Sequence, residues 1–463
     1  MKNINVTYSE SKGTVLPGYL PKTQFLGMEN YQNTGWAPGL GFISGFQDTA
    51  FGIKTAADHN WLTKDPLLNA SALFNTTKTL NLRVTIEPLR GMRIDVTANR
   101  NTSENISEFY HYNDTIQKFE RFGNQTSGSF SMTYNTFNTT FEKFDKYYNS
   151  KNFDDFKDFR FRIATRFANK RLESQSAIDN NYTALIDTTG FPDGYGPVSQ
   201  DVLIPAFLAA YSGRSPDHIA LTSFPGILSM SPNWSINYNG LTKIKLIKKY
   251  FRTLTFAHSY RSTYSVNSYN TSLDFDQVQF KKDGFSWVRY TLGNFVPQRE
   301  INGVSISEQF SPLFSFDGTL VNSVIAKFEM KRSRNLSFSL SNNQITEMQS
   351  KEFIFGTGYR LKDLTFQINS KTFKSDLNLR ADLSIRNDFT IIRKLEMDQT
   401  GGYNQITAGQ QLITIKITAD YQLGPSFTLQ LFYDRNVRKP KISTSFNTYN
   451  SNIGISIRFT LSQ

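Results

Sequence analysis

The stretch that decides the fold is residues 452–463, "NIGISIRFTLSQ", in which every second residue is apolar. Successive side chains of a β-strand point to opposite faces of the sheet, so this alternation predicts a strand with one apolar and one polar face. The apolar face carries Ile453, Ile455, Ile457, Phe459 and Leu461. The pattern leaves open whether that face contacts the core of a soluble protein or the lipid of a membrane.

Composition favours the membrane. The chain has 463 residues, of which 40 are Phe and 22 are Tyr, yet its mean hydropathy is −0.42. Membrane β-barrels need this mixture, because half of each strand faces lipid, half faces the lumen, and aromatic residues lie at both interfaces. No run of 18 apolar residues predicts a transmembrane helix. The start, "MKNINVTYSE", contains no apolar segment of the kind that a signal peptide needs.

Charge and cysteine content exclude several classes of function. The chain has no cysteine, so disulfides, thiolate metal sites and a cysteine nucleophile are excluded. The net charge of +12 suits nucleic acid, anionic lipid or lipopolysaccharide phosphates. The basic residues are mostly spread singly along the strands, which disfavours nucleic acid.

Alternation recurs along most of the chain. Residues 80–86 and 92–98 alternate on either side of "EPLRG" and predict a β-hairpin. Further alternating faces are predicted at Phe130–Tyr134, Leu254–Tyr260, Ala326–Met330, Leu336–Leu340 (after a predicted turn at "SRN"), Leu377–Ile385, Ile413–Tyr421 and Phe427–Tyr433. The apolar positions of these segments include no Asp, Glu, Lys or Arg, whereas the opposite positions include many.

A soluble sandwich also excludes charge from its inner faces, and it is the alternative reading. The best strands extend for roughly 9 to 11 residues, the length that a tilted strand needs to cross a bilayer, rather than the 5 or 6 common in soluble sheets. The apolar faces are also rich in Phe, Leu and Tyr, which suits lipid. The fold class predicted is all-β: a segment of a large antiparallel transmembrane β-barrel with a mixed, partly helical insertion.

Two helices are predicted inside residues 148–232. In "NFDDFKDFRFRIATRFANKR" the apolar residues Phe156, Phe159, Ile163 and Phe167 have helical spacing, with acidic residues early and basic residues late, as the helix dipole favours. Such a helix lies outside the membrane or docks a partner. "VSQDVLIPAFLAAYSG" predicts a short buried helix that starts after Ser199 and ends at Gly213.

The predicted organisation has four parts. Residues 1–65 are a loop-rich segment with few strands, because Pro and Gly are frequent in "LPGYLPKTQFLG" and "GWAPGLGFISGFQD". Residues 66–147 are barrel strands, 148–232 the partly helical insertion, and 233–463 barrel strands to the C-terminus. Strand parity stays open, since "KISTSFNTYN" alternates only weakly.

No residue pattern predicts chemistry. The four histidines, His59, His111, His218 and His258, have no metal-ligand spacing, and His258 is interpreted as an interfacial aromatic-like residue on an apolar strand face. The chain has no phosphate-binding G-x-x-x-x-G-K-[ST] loop. No catalytic, cofactor-binding or metal-binding residue is therefore predicted, and the protein is not expected to be an enzyme. The basic cluster "KIKLIKKYFR" is interpreted as a rim that meets anionic lipid phosphates, or as a patch that binds a partner or nucleic acid.

Several long, irregular stretches resemble the C-terminal part of the SprA (Sov) family. They include "GWAPGLGFISGFQD", "GFPDGYGPVSQDVLIPAFLAAYSG", "KKYFRTLTFAHSYRSTYSVNSY", "EQFSPLFSFDGTLVNSVIAKFEMKRSRNLSFSLSNNQITE" and "LQLFYDRNVRKPKISTSFNTYNSNIGISIRFTLSQ". That family forms the outer-membrane translocon of the type IX secretion system of Bacteroidetes. The matching stretches extend, in the same order, from about Gly35 to Gln463.

The resemblance implies a share of a very large single-chain barrel, of the 36-stranded class, through which folded cargo proteins cross the outer membrane. It also implies gated passage without catalysis or cofactors, a plug protein, a shuttle barrel, contact with lipid and lipopolysaccharide, and a link to gliding motility. Family members are several times longer and start with a signal peptide, so Met1 is expected to be a truncation or a fragment start. The alternatives are an independent outer-membrane porin or transporter barrel, and a soluble, surface-attached β-protein that binds a partner.

Overall fold

A computed structural model describes residues 3–46, 51–368, 371–395, 404–424, 427–442 and 445–459. Fourteen of its strands form one sheet, in which every pairing is antiparallel, and two more form a small separate sheet. The strands are β1 (Asn3–Val15), β2 (Glu29–Asn30), β3 (Trp36–Ala37), β4 (Ala72–Ile86), β5 (Met92–Asn113), β6 (Lys118–Thr133), β7 (Asn233–Tyr238), β8 (Phe251–Thr271), β9 (Arg299–Ile301), β10 (Gly303–Leu320), β11 (Ile325–Ser339), β12 (Gln344–Ile368), β13 (Lys371–Lys394), β14 (Asn404–Gly424), β15 (Phe427–Pro440) and β16 (Thr448–Phe459).

The large sheet is an up-and-down meander. Its strand order is β1, β4, β5, β6, β8, and then β10 to β16 in succession, so neighbours in the sheet are neighbours along the chain. The hairpin predicted over residues 80–98 is confirmed, with Ile86 opposite Ile94. The connections 87–91, 239–250 and 321–324 join strands at one end of the sheet, which we name the turn end, and the short connections 114–117 and 340–343 join strands at the other end. The long connections 16–71 and 272–298 also lie at this other end, which we name the helical end.

One position in the meander is occupied by two strands in line. Both β6 and β7 pair with β5 and with β8, β6 towards the helical end and β7 towards the turn end. The chain leaves the sheet after Thr133 and returns at Asn233, so residues 134–232 interrupt a single strand position of the sheet, which we name the interrupted stave. Side chains bond backbone groups across the break: Asn233 Oδ1 accepts from the Ser262 N–H at 2.7 Å, and Thr133 Oγ1 accepts from the Asn99 N–H at 3.3 Å.

The predicted all-β antiparallel class is confirmed. In the described residues the sheet is open and does not close into a barrel. Within the described ranges, β1 pairs only with β4 and β16 pairs only with β15. The strands are also longer than the predicted 9 to 11 residues: β12 has 25 residues and β13 has 24. Each long strand is therefore long enough for two different environments along its length.

Seven α-helices are present in the described residues: α1 (Leu40–Ile43), α2 (Phe137–Thr140), α3 (Lys151–Leu172), α4 (Gln175–Asp179), α5 (Gln200–Ser212), α6 (Lys245–Lys248) and α7 (Gln277–Asp283). Short 3₁₀ turns lie at Phe25–Gly27, Tyr31–Asn33, Ile227–Ser229 and Leu241–Lys243, and a π-helix at Gly52–Ala56. The helices predicted around Phe156 and around Phe207 are confirmed as α3 and α5. The Ser150 hydroxyl accepts a hydrogen bond from the Phe153 N–H and caps α3, and α5 ends at Gly213, whose φ of 68° is left-handed.

The main core lies between this helical insertion and one face of the sheet. From Val202 to Ser212, every residue of α5 is buried. It packs with α3 against sheet residues that include Tyr264, Ile306 and Phe338. The alternating faces Phe130–Tyr134 and Leu336–Leu340, which the lipid interpretation would expose, are thus covered by helices. A strand's alternation predicts that one face is apolar and does not indicate what covers it.

Two buried ion pairs help to hold the insertion on the sheet. Arg334 of β11 contacts Glu308 of β10 at 3.1 Å and also donates to the Thr139 carbonyl at 2.8 Å. The other Glu308 oxygen accepts from Thr136, Thr140 and Tyr260.

The second pair joins Arg393 of β13 to Glu347 of β12 at 3.1 Å, and Arg393 donates to the Tyr148 carbonyl at 2.7 Å. All four charged side chains are at most 1% exposed. Since a buried charge needs both a partner and hydrogen bonds, these contacts fix where the insertion lies.

The structure differs from the sequence-based expectations at three places along the chain. The predicted turn at "SRN" does not exist, because β11 is continuous from Ile325 to Ser339, and its Arg334 is the buried arginine described above. The segment 1–65 contains the 13-residue strand β1 at the edge of the sheet. The strand register also places the start of the insertion at residue 134 rather than 148, because the sheet is left directly after Thr133. The predicted strand position Leu461 lies outside the described residues.

Replacing Arg334 by Met should loosen the insertion. The substitution leaves Glu308 buried without its cation, which costs about 3–5 kcal/mol. We expect faster hydrogen exchange in the amides of α5. The double variant Glu308→Gln, Arg334→Met removes both charges and should recover most of the protection. As a matched control, Arg162→Met breaks the exposed pair with Asp217 and should cost no more than about 1 kcal/mol. If the double variant exchanges as fast as Arg334→Met, the pair is not what fixes the insertion.

Candidate functional site

A continuous apolar band crosses one face of the sheet towards the turn end; we name it the belt. The strand registers place the following residues on the same face: Ile4, Val6, Tyr8, Leu80, Leu82, Val84, Ile86, Met92, Ile94, Val96, Ala98, Trp234, Ile236, Tyr238, Leu254, Phe256, Phe314, Phe316, Ala326, Phe328, Met330, Phe353, Phe355, Tyr359, Leu361, Leu377, Leu379, Ala381, Leu383, Ile385, Ile413, Ile415, Ile417, Ala419, Tyr421, Leu429, Leu431, Tyr433, Ile453, Ile455, Ile457 and Phe459. The strand β16, which contains the alternating residues Ile453 to Phe459, therefore belongs to the same apolar surface as the other strands.

The belt is uncovered. Side chains in the middle of the sheet, where neighbours lie on both sides, stay open to the surroundings: Phe355 is 46% exposed, Ile417 44% and Leu431 49%. Monomeric soluble proteins rarely expose contiguous apolar patches larger than a few hundred Å². A surface of this kind, extending over every stave from β1 to β16, therefore favours a lipid or protein partner over water.

The opposite face, which we name the polar face, carries charges in compensated groups. Asp95 contacts Arg93 at 2.8 Å and Arg83 at 3.2 Å. Glu329 contacts Lys327 at 3.1 Å and Lys331 at 3.4 Å. These pairs lie on the face that tolerates water, so one face suits an aqueous space and the other suits hydrocarbon, as the two sides of a membrane barrel wall require.

Basic residues border the belt at its helical side. The registers align Arg332, Lys351 and Lys439 in one row across β11 to β15, through Asn387 and Gln411, and the row has no carboxylate. We name these three residues the basic row. It lies one step beyond the apolar row that contains Met330, Phe353 and Ile385. The three cations are far apart along the chain, so only the strand register brings them together.

The basic cluster predicted as a rim lies at the turn end. It forms the connection between β7 and β8, where Tyr238 is opposite Phe256, and contains α6. Lys243 Nζ donates to the Arg90 carbonyl at 3.1 Å, which attaches the cluster to the turn between β4 and β5. The belt thus has cations at both of its borders. The interpretation that this cluster meets lipid phosphates stays a prediction.

The four histidines are well separated in the structure. His59 packs on Trp61 and His111 on Phe122, while His218 is exposed in the insertion. His258 lies among aromatic rings at the helical border of the belt. In the part of the chain that the structure describes, no three His, Asp or Glu side chains form a group that could hold a metal ion.

A cavity of about 420 Å³ lies between the insertion and residues 275–301. Its lining includes Arg171, Asp201 and Arg299. Arg171 donates to the Tyr195 hydroxyl at 3.0 Å and lies 3.6 Å from the centre of the Phe295 ring. Burial raises the pKa of Asp201 to about 6. The cavity combines fixed cations with one carboxyl group whose pKa is raised. It could not be predicted from the sequence, because its residues come from distant segments of the chain.

No family model matches the chain, and no curated protein matches it. Among the described residues, no helix is both long and apolar enough to cross a membrane. The belt, the polar face and the two basic borders are therefore the features from which a function has to be inferred.

A charge on the belt should prevent assembly, whereas a charge on the polar face should not. Leu379→Arg or Ile415→Arg places a cation where lipid is expected, at a cost of about 2–4 kcal/mol near the bilayer midplane. The matched controls Asn378→Arg and Thr414→Arg add the same charge to the adjacent positions on the polar face. The fraction of folded protein recovered with membranes measures the difference. Equal recovery of all four variants would contradict a lipid-facing belt.

The stability of the insertion should depend on Asp201 and on pH. Because burial raises the pKa of Asp201 to about 6, the unfolded chain releases this proton at lower pH than the folded protein does. The destabilisation is absent below about pH 4, grows as the pH rises to about 6 and is constant above that.

Asp201→Asn should therefore slow hydrogen exchange in α5 at pH 8. The free energy of opening of these amides should rise by about 1–2 kcal/mol after allowance for partial exposure, and it should not change at pH 4. Asp217→Asn, at an exposed ion pair, is the control and should show no such pH-dependent gain. A gain from Asp201→Asn that is equal at both pH values would contradict the assignment.

Proposed function

We propose that this chain forms part of the wall of an outer-membrane protein-conducting channel, the translocon of the type IX secretion system, through which folded cargo proteins leave the cell. The observation that carries the membrane part of the proposal is the belt, a predominantly apolar surface across the strands from β1 to β16, with a compensated polar face behind it. Among the belt side chains lies one arginine of β15, Arg435, which is opposite Ile415. The link to this secretion system rests on the resemblance of the quoted stretches to the SprA (Sov) family.

The quoted stretches coincide with distinctive parts of the fold, which supports their use. "PVSQDVLIPAFLAAYSG" contains α5, the most deeply buried helix, and "EQFSPLFSFDG" lies in β10, where the strand departs from regular register. "KRSRNLSF" supplies the buried Arg334. Each stretch has a structural reason for its irregular composition, so each is more specific than an alternating strand pattern.

The proposed orientation rests on the position of the longest connections, because short connections are present at both ends of the sheet. Outer-membrane barrels have short periplasmic turns and longer extracellular loops. The turn end then faces the periplasm, and the helical end, with the insertion and the connections 16–71 and 272–298, faces outwards. In this orientation the polar face lines the conduit, and a complete barrel needs strands paired to both edge strands, β1 and β16.

The proposed role is passage without catalysis. A single wall segment offers cargo a hydrated surface with compensated charges, which gives no strong binding site for a particular sequence. The partners in this proposal are the secreted cargo, a plug protein, a shuttle barrel that receives cargo, and the surrounding lipid. The resemblance to the SprA (Sov) family also links the proposed channel to gliding motility.

The absence of cysteine from the chain allows a direct test. Single cysteines at Asn378 and Ser456 on the polar face, and at Leu379 and Ile457 on the belt, are labelled with a photoreactive maleimide in the protein as the cell makes it. We expect cross-links to secreted cargo from the two polar-face positions only, because only that face lines the proposed conduit.

Two outcomes would contradict the proposal. Cargo cross-links that are equally frequent from both faces would show that the polar face is not the conduit. Normal secretion in cells without the protein, together with loss of uptake of a small solute, would instead support a porin or transporter. A fluorescent solute and a secreted reporter protein measure the two activities in the same cells.

A further inference from the structure

An apolar groove lies at the helical border of the belt. It encloses about 510 Å³, within the range of small-molecule pockets. It lies between β7, β8, β10 and α2, and the residues that form it are aromatic or aliphatic with the exception of one histidine. Those used in the argument below are Phe141, Trp234, Ile236, His258, Leu313 and Phe314.

A break in register of β10 creates the groove. Phe310 and Phe314 are opposite Arg332 and Met330 of β11, so β10 has two more residues in this interval than its neighbour. A bulge of this kind bends a strand and redirects its side chains. Pro312 lies inside the bulge, where its missing N–H is not needed by the ladder. The bulge thus leaves an uncovered space beside β8.

The one polar side chain of the groove has its hydrogen bonds satisfied. His258 Nδ1 donates to the Leu313 carbonyl at 2.6 Å, and Nε2 accepts from Trp234 Nε1 at 3.1 Å. The carbonyl can only accept and the indole N–H can only donate, which assigns the neutral Nδ1–H tautomer. The groove therefore offers no free donor or acceptor from His258, and its interior suits a hydrocarbon chain.

The groove is continuous with the belt. Ile236 and Phe314 belong to both, and Phe314 is 44% exposed while Phe141, on the side of the insertion, is 43% exposed. Because these two rings are partly exposed, the groove between them is open towards the belt. An occupant can therefore enter from the belt without any rearrangement of the sheet.

Two basic residues lie near the opening of the groove that faces the insertion. The Arg332 guanidinium lies 5.0 Å from the Phe141 ring and donates to the Thr140 carbonyl at 2.6 Å. Lys351 is directly opposite Arg332 in the register and is exposed. Both belong to the basic row, which has no carboxylate. An occupant with an apolar chain and an anionic head would match the groove and these cations together.

We propose that the groove holds one acyl chain of a phosphorylated glycolipid of the lipid A type, with a lipid phosphate against Arg332 and Lys351. The inference rests on the proposed function for its membrane setting and deepens it by naming a lipid and a site. Lipid A fits because the groove lies at the helical side of the belt, which the proposed orientation places in the outer leaflet. Phosphate fits because Arg332 borders the mouth, Lys351 lies next to Arg332 in the register, and the carboxylates nearest to Arg332, Glu308 and Glu347, are already paired with Arg334 and Arg393.

The test uses lipid A with a diazirine in one acyl chain as the probe. The full-length protein is reconstituted into phosphatidylcholine vesicles that contain the probe, illuminated and digested, and labelled peptides are identified by mass spectrometry. We expect label to be enriched on residues 234–258 over the rest of the belt. Ile236→Trp fills the groove and should abolish the enrichment. Ile417→Trp, elsewhere on the belt, is the matched control and should leave it unchanged.

A second arm tests the phosphate. Arg332→Gln and Lys351→Gln should each lower the enrichment about fivefold, the effect expected for one cation near a lipid phosphate. Lys331→Gln, on the polar face, should not change it. Probe without phosphates, and phosphatidylcholine with the same diazirine, should label the groove no more than the remaining belt. If Ile236→Trp does not fold, as judged by heat modifiability, Ile236→Phe and Lys351→Gln provide the same test.

The outcomes separate this inference from the proposed function. Uniform labelling of the belt, unchanged in Ile236→Trp, overturns the groove as a site and leaves the membrane setting intact. Enrichment that is equal for probes with and without phosphate overturns the lipid A assignment. Absence of label from the whole belt overturns the membrane setting itself.

Discussion

Every backbone N–H and C=O in contact with hydrocarbon has to be paired, because no water is available to bond it. A meander of antiparallel strands satisfies this requirement between neighbours, and here it does so between the two edge strands, β1 and β16. The point of greatest difficulty is the stave that β6 and β7 share, because the ladder is interrupted there. Asn233 and Thr133 supply side-chain oxygens at the break. The large helical insertion is possible because its entry and exit leave few backbone groups without partners.

A second constraint decides how each strand is used along its length. The longest strands, β5, β8, β12, β13 and β14, have 21 to 25 residues, about twice the length that a bilayer crossing requires. The same face of the sheet has two different environments along this length. Towards the turn end that face is the uncovered belt, and towards the helical end it is the floor of a packed core. Between them lies a zone of charge that includes Arg332, Lys351 and the pair of Glu308 with Arg334. The apolar face of one strand therefore contributes to the belt at one end and to the packed core at the other, and charged residues on the same face separate the two regions.

Much of this could be predicted from the sequence where a local pattern determines the outcome. The alternation of residues 80–98 predicted the hairpin correctly. The helical spacing of apolar residues predicted α3, and Ser199 and Gly213 at the two ends of an apolar stretch predicted α5. The failures have a common physical reason, which is that cross-strand neighbours decide them. Arg334 looked like part of a turn because its partner Glu308 is distant in the chain. The groove was missed because it depends on the bulge at Pro312, and the basic row was missed because its members meet only through the register.

The interrupted stave also has a consequence for the order of assembly. Thr133 and Asn233 are adjacent in the wall, yet residues 134–232 separate them, so bringing them together costs loop-closure entropy. If α3 and α5 pack against each other before β7 joins the sheet, the two ends of the insertion are nearer to each other and part of that cost is removed. The efficient sequence of events is then that α3 and α5 pack first and that β7 joins the sheet afterwards. The insertion would in this way serve as the template for the section of the sheet that it interrupts.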